Sequence, residues 1–339
     1  MNSITTQQHY SGFDYLRAVM SVSIIAWHTG LVLGNTKVFG YDLWNIDIIF
    51  SDIMNFNFQL LAVPIFYLIA LFLTVKKLMV KPTYYRERLR RLVYLYIFWS
   101  LMWILYNHGI HWFGKLLSYD YKSIIRVLLG SDFGVFYFIN FLILLSAISK
   151  YVYKLPYKYL KLMIVYSILF IALFPCIVLV TKKLFILVNY LNPLNYLPYL
   201  LIATVVAKSY TENAEYFYKK LKNYIIYLSI AYLLSTIYEW QYLVHVNFWI
   251  ANGYALPPYA RLSVVFGSTL LFLLSFYIKK PSVFIIKFLS DHSLALYCLH
   301  PFMMVLFRDY IPCRLCFFTY VLMSSILLTM LIKKKGATF

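Results

Sequence analysis

The stretch FDYLRAVMSVSIIAWHTG, Phe13 to Gly30, decides how the chain is to be read. It is nearly all apolar, yet Asp14 and Arg17 stand near one end and His28 lies deep inside it. The step from Arg17 to His28 leaves them about 20° out of phase after three helical turns and about 16 Å apart along the axis. One face of an oily helix thus carries both a cation and an imidazole. Ionisable groups at membrane depth are costly, and they normally face a bundle interior or a wet cavity where they mark function. The plain alternative for His28 is a histidine bonded to a neighbouring helix. Choosing between them requires knowing the solvent in which the chain lives.

Composition settles the solvent. The 339 residues are 63% hydrophobic and only 13% charged, against about 25% charged in a soluble domain. A water-soluble fold of this size leaves too much surface exposed to hide such a composition. Apolar spans of about 20 residues crossing a bilayer are the expected unit. The formal net charge of +19 would point to nucleic acid on a soluble chain. Here the cations cluster between oily runs, as they do beside anionic lipid, so no nucleic-acid partner is expected. Cys176, Cys298, Cys313 and Cys316 form no disulfide framework. The polar start, without Lys or Arg before the first span, shows no cleavable signal peptide.

Reading apolar runs against their flanks gives about ten candidate spans. They are roughly 15–33, 56–75, 92–108, 133–149, 162–180, 194–207, 223–240, 262–278, 289–307 and 313–332. The fold class expected is therefore all-α, a polytopic helical bundle in one domain over residues 1–339, with no linker or repeat. Loops after even-numbered spans carry 21 Lys and Arg residues, and those after odd-numbered spans, with their edges, carry 9. That asymmetry places both termini in the cytoplasm of a cell whose inner or plasma membrane holds the protein.

Four further features carry candidate chemistry. Asp14 lies one turn before Arg17 and either steadies the guanidinium or simply favours a helix N-terminus. In YYRERLRRLVYLYIFWS, Tyr84 to Ser100, Arg88 and Arg91 share a helix face. Guanidinium forks suit phosphate oxygens, although such a cluster also anchors a helix to anionic lipid. In LSDHSLALYCLHPFMM, Leu289 to Met304, His300 precedes Pro301. The proline removes a backbone donor and is expected to kink the helix, giving His300 polar company. Glu239, near the outer end of the seventh span, is either an interfacial anchor or a contact for an acceptor. No HExxH, GxGxxG, phosphate-loop or GxSxG motif occurs, and no metal is expected.

These residues taken in order resemble acyltransferase family 3, the multi-span membrane O-acyltransferases of cell-surface sugars. LRAVMSVSIIAWHTG resembles that family's first span, and VPIFYLIALFL (Val63 to Leu73) its second. Ile69-Ala70 stands where the family usually has Ser-Gly. RLRRLVYLY (Arg88 to Tyr96) resembles its RxxR opening of the third span, without the proline that often follows. FYFINFL (Phe136 to Leu142) and LSDHSLALYCLHP (Leu289 to Pro301) resemble later segments, so the likeness spans the chain. It implies transfer of an acyl group, commonly acetyl, from cytoplasmic acyl-CoA to a hydroxyl of an exopolysaccharide, surface glycan or lipid-linked sugar. It further implies that His28 is the essential histidine, Arg17 its partner, and Arg88 with Arg91 the donor-binding pair.

The residues themselves agree with that picture. Arginines at the cytoplasmic face suit the phosphates of acyl-CoA, and a passage between helices would lead the pantetheine arm to His28. There an imidazole serves as general base or as acyl carrier, and Arg17 holds the donor or steadies an oxyanion. His300 and Glu239 are candidates on the acceptor side. A non-enzymatic polysaccharide exporter or flippase also places polar groups inside a bundle, but it commonly shows repeated halves, which are not visible here. A structural membrane subunit would tolerate changes at His28 and Arg88.

Overall fold

The computed structural model describes residues 9–31, 42–43, 46–47, 50–109, 134–181, 184–243 and 256–334. Lys37, Lys115, Lys122, Arg126, Lys182, Lys183 and Lys335, which entered the charge asymmetry above, lie outside them. Among the described residues the regular structure is helical, apart from a two-residue antiparallel pairing of Asp42–Leu43 with Ile46–Asp47.

The described residues hold eleven helices of eight or more residues: α1 (Ser11–Thr29), α2 (Ala62–Val80), α3 (Tyr84–His108), α4 (Tyr137–Val152), α5 (Tyr157–Thr181), α6 (Leu197–Glu212), α7 (Ala214–Tyr238), α8 (Leu262–Leu274), α9 (Phe284–Asp291), α10 (Ser293–Phe307) and α11 (Arg314–Lys334). All but α9 overlap the ten predicted apolar segments one for one. Among the described residues, three stretches are long and apolar enough to cross a membrane by length and composition: Met54–Val80, Tyr157–Val178 and Arg314–Ile332.

Burial separates centre from rim. The apolar stretch of α2 is 78% buried, against 28% for α5 and 17% for α11. α2 packs against α1, α4, α6 and α8 and forms the axis of the bundle. The outer faces of α5, α7 and α11 expose Leu169, Phe170, Ile230, Leu233, Met323 and Leu327. Bands of large apolar side chains on this scale are not left to water; lipid is the solvent that matches them.

Two helix ends differ from the predicted segments. The first segment was expected to reach residue 33, but α1 stops at Thr29 because Gly30 takes the left-handed conformation (φ 65°). The Gly30 N–H donates to the Trp27 carbonyl at 3.2 Å and the Leu31 N–H to the Ala26 carbonyl at 3.1 Å, the usual way a glycine satisfies the last carbonyls of a helix. His28 therefore sits in the final turn of α1 instead of midway along a longer helix. The predicted segment 289–307 is two helices, α9 and α10, which meet at His292. Ser290 Oγ donates to Asp14 Oδ1 at 2.9 Å, and His292 Nδ1 donates to the Phe288 carbonyl at 2.7 Å, so local bonds turn the chain there. α10 then runs through Pro301 to Phe307.

The start of α1 is clamped. Tyr10 stacks on Phe13 (ring centroids 4.8 Å apart) and Phe13 on Phe272 (5.6 Å). Gly12 packs directly on the turn after α8: a Cβ there would lie 1.9 Å from the Ser275 carbonyl oxygen. This seat sets the height of Arg17 and His28 in the bundle.

Candidate functional site

Two cavities lie along α1, α3, α4 and α10, with the turn leading into α2 beside one and α2 itself beside the other. The first, of about 330 Å³, is bordered by Trp27, His28, Leu60, Trp103, Val135, Tyr137, Tyr190, Pro258, Tyr259, His300, Pro301, Met304, Val305 and Arg308. The second, of about 270 Å³, is bordered by Arg17, Phe66, Ala70, Arg88, Leu92, Phe138, Leu142, Ser290, Asp291, Ser293, Leu294 and Tyr297. Each of α1, α3 and α10 passes from the arginine cavity to the histidine cavity as residue number rises. The segments leading into and along α2 and α4 run the opposite way. The near in-phase spacing of Arg17 and His28 thus places one residue in each chamber, both facing the same column of space.

In the arginine cavity the expected pair divides. Arg88 turns inward, and its Nε is buried without a hydrogen-bond partner among the described residues. Arg91 is exposed; its Nη2 donates to the Tyr84 hydroxyl at 3.0 Å, and it does not border the cavity. Glu87 pairs with Lys81 (2.6 Å), and that bond and charge hold its carboxyl below the ordinary range, so it does not neutralise Arg88. Arg17 borders the cavity opposite Arg88's helix, with no side-chain bond among the described residues. Two guanidinium groups facing one chamber suit an anion with several oxygens. Ala70, at the position where a glycine was the expected residue, adds its methyl to this wall.

Asp14 does not clamp Arg17. Its Oδ2 accepts from Ser282 Oγ at 2.9 Å and its Oδ1 from Ser290 Oγ at 2.9 Å, with His9 Nε2 3.0 Å away. It ties α1 to α9 and to the chain leading into α9, since both partners are hydroxyl donors that a buried carboxylate needs.

The histidine cavity is mostly aromatic and apolar. His28 reaches into it and keeps accessible surface there. His300 is fully buried, 5.1 Å ring to ring from His28. His300 Nδ1 lies 3.2 Å from the Leu296 carbonyl, and Nε2 has no hydrogen-bond partner among the described residues. Trp27, Trp103, Tyr137, Tyr190 and Tyr259 supply flat walls of the kind that small-ligand sites use, with few polar groups to orient what enters. Arg308, absent from the expected site residues, borders the same space.

No lining residue is common to the two cavities. Tyr297 and Phe138 stand between them, ring centroids 5.0 Å apart. The Tyr297 hydroxyl donates to the carbonyl of Val135, which borders the histidine cavity, and its ring meets His300 at 5.9 Å. Of the expected passage, the structure thus shows two cavities with no common lining residue and the Tyr297–Phe138 ring pair at their junction.

Glu239 does not border either cavity. It is 2% exposed and locked to Arg261: Arg261 Nε donates to Glu239 Oε2 at 2.8 Å and the Ser263 N–H to Glu239 Oε1 at 2.8 Å. Arg261 Nη1 donates to the Phe56 carbonyl at 2.8 Å. The backbone next to this pair is wound as π-turns, Met54–Phe58 and Glu239–Leu243. Asn57 joins them by accepting from Trp240 Nε1 at 2.6 Å. The network supports the wall beside Tyr259, whose carbonyl accepts the Arg261 N–H at 2.9 Å.

The family model Acyl_transf_3, described as an acyltransferase domain, matches residues 10–334, nearly the whole chain. Neither the curated proteins nor the solved structures gave a match.

Proposed function

The chain belongs to acyltransferase family 3, and we propose that it is a multi-pass O-acyltransferase of the cell membrane, one domain with both termini in the cytoplasm. It moves an acyl group, acetyl as the first expectation, from cytoplasmic acyl-CoA to a hydroxyl of an exopolysaccharide, surface glycan or lipid-linked sugar. The observation that carries this reading is the paired arrangement of cavities. Each of α1, α3, α4 and α10 borders a chamber facing two guanidinium groups at one end and a chamber facing two imidazoles at the other.

The chemistry follows from the lining. Arg17 and Arg88 bind phosphate oxygens of the donor, Arg88 with an Nε that has no other partner among the described residues. The pantetheine arm is the only slender part of acyl-CoA, and it is the part that passes Tyr297 and Phe138 toward His28. The aromatic walls receive the apolar face of a sugar ring. A sugar hydroxyl attacks the thioester carbonyl at His28, where an imidazole is at hand for proton transfer.

The test is a His28→Ala variant expressed in its own cell at wild-type membrane level, with surface glycans examined by mass spectrometry. Glycans of normal abundance that lack the acyl mass increment are expected. Unaltered acylation would end the proposal, and loss of the glycan itself would point to transport instead.

A further inference from the structure

His300 carries chemistry that His28 alone does not explain. The Leu296 carbonyl can only accept a hydrogen bond, so the contact at 3.2 Å requires the proton of His300 to sit on Nδ1. Nε2 is then a bare lone pair. It is fully buried and has no hydrogen-bond partner among the described residues, on a ring that is one of those bordering the histidine cavity. A buried acceptor left unmatched is unfavourable, and what enters this chamber with a donor to offer is a hydroxyl. His28 differs: it is exposed to the cavity and has no hydrogen bond among the described residues, so neither of its tautomers is imposed. The two rings are 5.1 Å apart, close enough to act on one reacting centre.

Building on the acyltransferase reading above, we propose that His300 is a second catalytic histidine, the base that takes the proton of the acceptor hydroxyl, and that His28 serves the donor side. The O–H bond breaks toward His300 Nε2 as the oxygen–acyl bond forms. His28 presents an N–H to the carbonyl oxygen while that oxygen bears negative charge. The C–S bond then breaks with its electron pair on sulfur. The proton held by His300 passes to that thiolate, giving the acyl ester and free CoA thiol. The Leu296 carbonyl keeps Nδ1 protonated throughout, so Nε2 both receives the proton and returns it.

The experiment compares His300→Gln and His28→Ala in lipid nanodiscs and in cells, with acetyl-CoA as donor. Glutamine keeps the size and a hydrogen-bonding end but takes no proton. Two acceptors are used: the native surface glycan, read by mass spectrometry, and hydroxylamine, which attacks through a neutral lone pair without prior deprotonation. His300→Gln is expected to reduce glycan acetylation about hundredfold. Transfer to hydroxylamine is expected to stay near wild type, and the pH dependence of glycan transfer to flatten. His28→Ala is expected to lose both reactions. Glycan acetylation near the wild-type rate in His300→Gln overturns the assignment. So does an equal loss toward both acceptors, which would mark His300 as a packing residue. If the wild-type protein transfers acetyl to neither acceptor, the acyltransferase reading itself falls, and that outcome is distinct from the other two.

Discussion

Arg17 and Arg88 border one cavity from different helices, and neither is engaged in an ion pair among the described residues. Asp291 borders the same cavity, and its charge and that of Asp14 reach Arg17, but two guanidinium groups against the one lining carboxylate leave room for a further anion. Arg88→Gln is expected to weaken CoA binding roughly 10- to 100-fold, since bonds to charged groups are worth about 1.5–3 kcal/mol. Arg91→Gln should change the Kd by about threefold or less, because an exposed guanidinium contributes little. Calorimetric titration of CoA into the purified variants reads both values. Equal losses at the two positions would show that both arginines hold the donor and that the inward turn of Arg88 has no special weight.

Tyr297 offers a separate handle on the ring pair at the junction of the chambers. Tyr297→Phe removes the hydroxyl that bonds the Val135 carbonyl, and freer passage with modestly faster transfer is expected. Tyr297→Ala removes the ring and should let water reach the thioester, so that acyl-CoA hydrolysis rises at the expense of glycan transfer. Tyr297→Trp should bind CoA normally yet transfer slowly. Thiol release measured with and without acceptor separates these outcomes. A Tyr297→Ala protein with unaltered partition between water and glycan would mean that the donor takes a different route.

The features readable in the chain and those hidden from it differ in kind. Helix positions followed from apolar runs, and the shared face of Arg17 and His28 followed from helical periodicity alone. Both depend only on neighbours in sequence. Arg88 and Arg91 looked equivalent because they are three residues apart, but that offset still rotates them by about 60°, and a cavity wall takes only one. Glu239 reads in the sequence as an interfacial anchor or an acceptor contact, and nothing local links it to Arg261, 22 residues on. Their pairing depends on how α7 and α8 pack, which no local pattern reports. The break at His292 was hidden for the same reason: it is fixed by Ser290 reaching Asp14 on α1. His300 was partly legible, since its bond to Leu296 lies within its own helix.

The Glu239–Arg261 pair is expected to hold structure and not to bind substrate. Both side chains are nearly inaccessible, and each guanidinium nitrogen of Arg261 makes a hydrogen bond. Breaking such a pair from one side leaves a buried charge uncompensated and costs about 3–5 kcal/mol. Arg261→Ala should therefore lower the unfolding temperature strongly in detergent, while CoA affinity in the folded fraction stays within about twofold. The double change Glu239→Gln with Arg261→Met should be less damaging than Arg261→Ala alone, because no charge is left behind. Scanning fluorimetry across the three variants decides it. A mild Arg261→Ala effect would mean that the pair is not buried as described.

Gly12→Ala sets two effects of opposite sign against each other. Within a helix, alanine is favoured over glycine by about 1 kcal/mol, so propensity alone predicts a more stable protein. The contact predicts the reverse: the added Cβ would sit 1.9 Å from the Ser275 carbonyl oxygen, a backbone atom that no side-chain rotation can move aside. Overpacking of this kind costs about 1–3 kcal/mol, and it acts at the end of α1 whose seat sets the height of Arg17. Gly12→Ala is therefore expected to lower the unfolding temperature and to weaken CoA binding together. A more stable protein with unaltered affinity would show that α1 is free to slide against the turn after α8. The registration of Arg17 and His28 with their cavities would then have to be held from the α9 side, through Asp14 and Ser290.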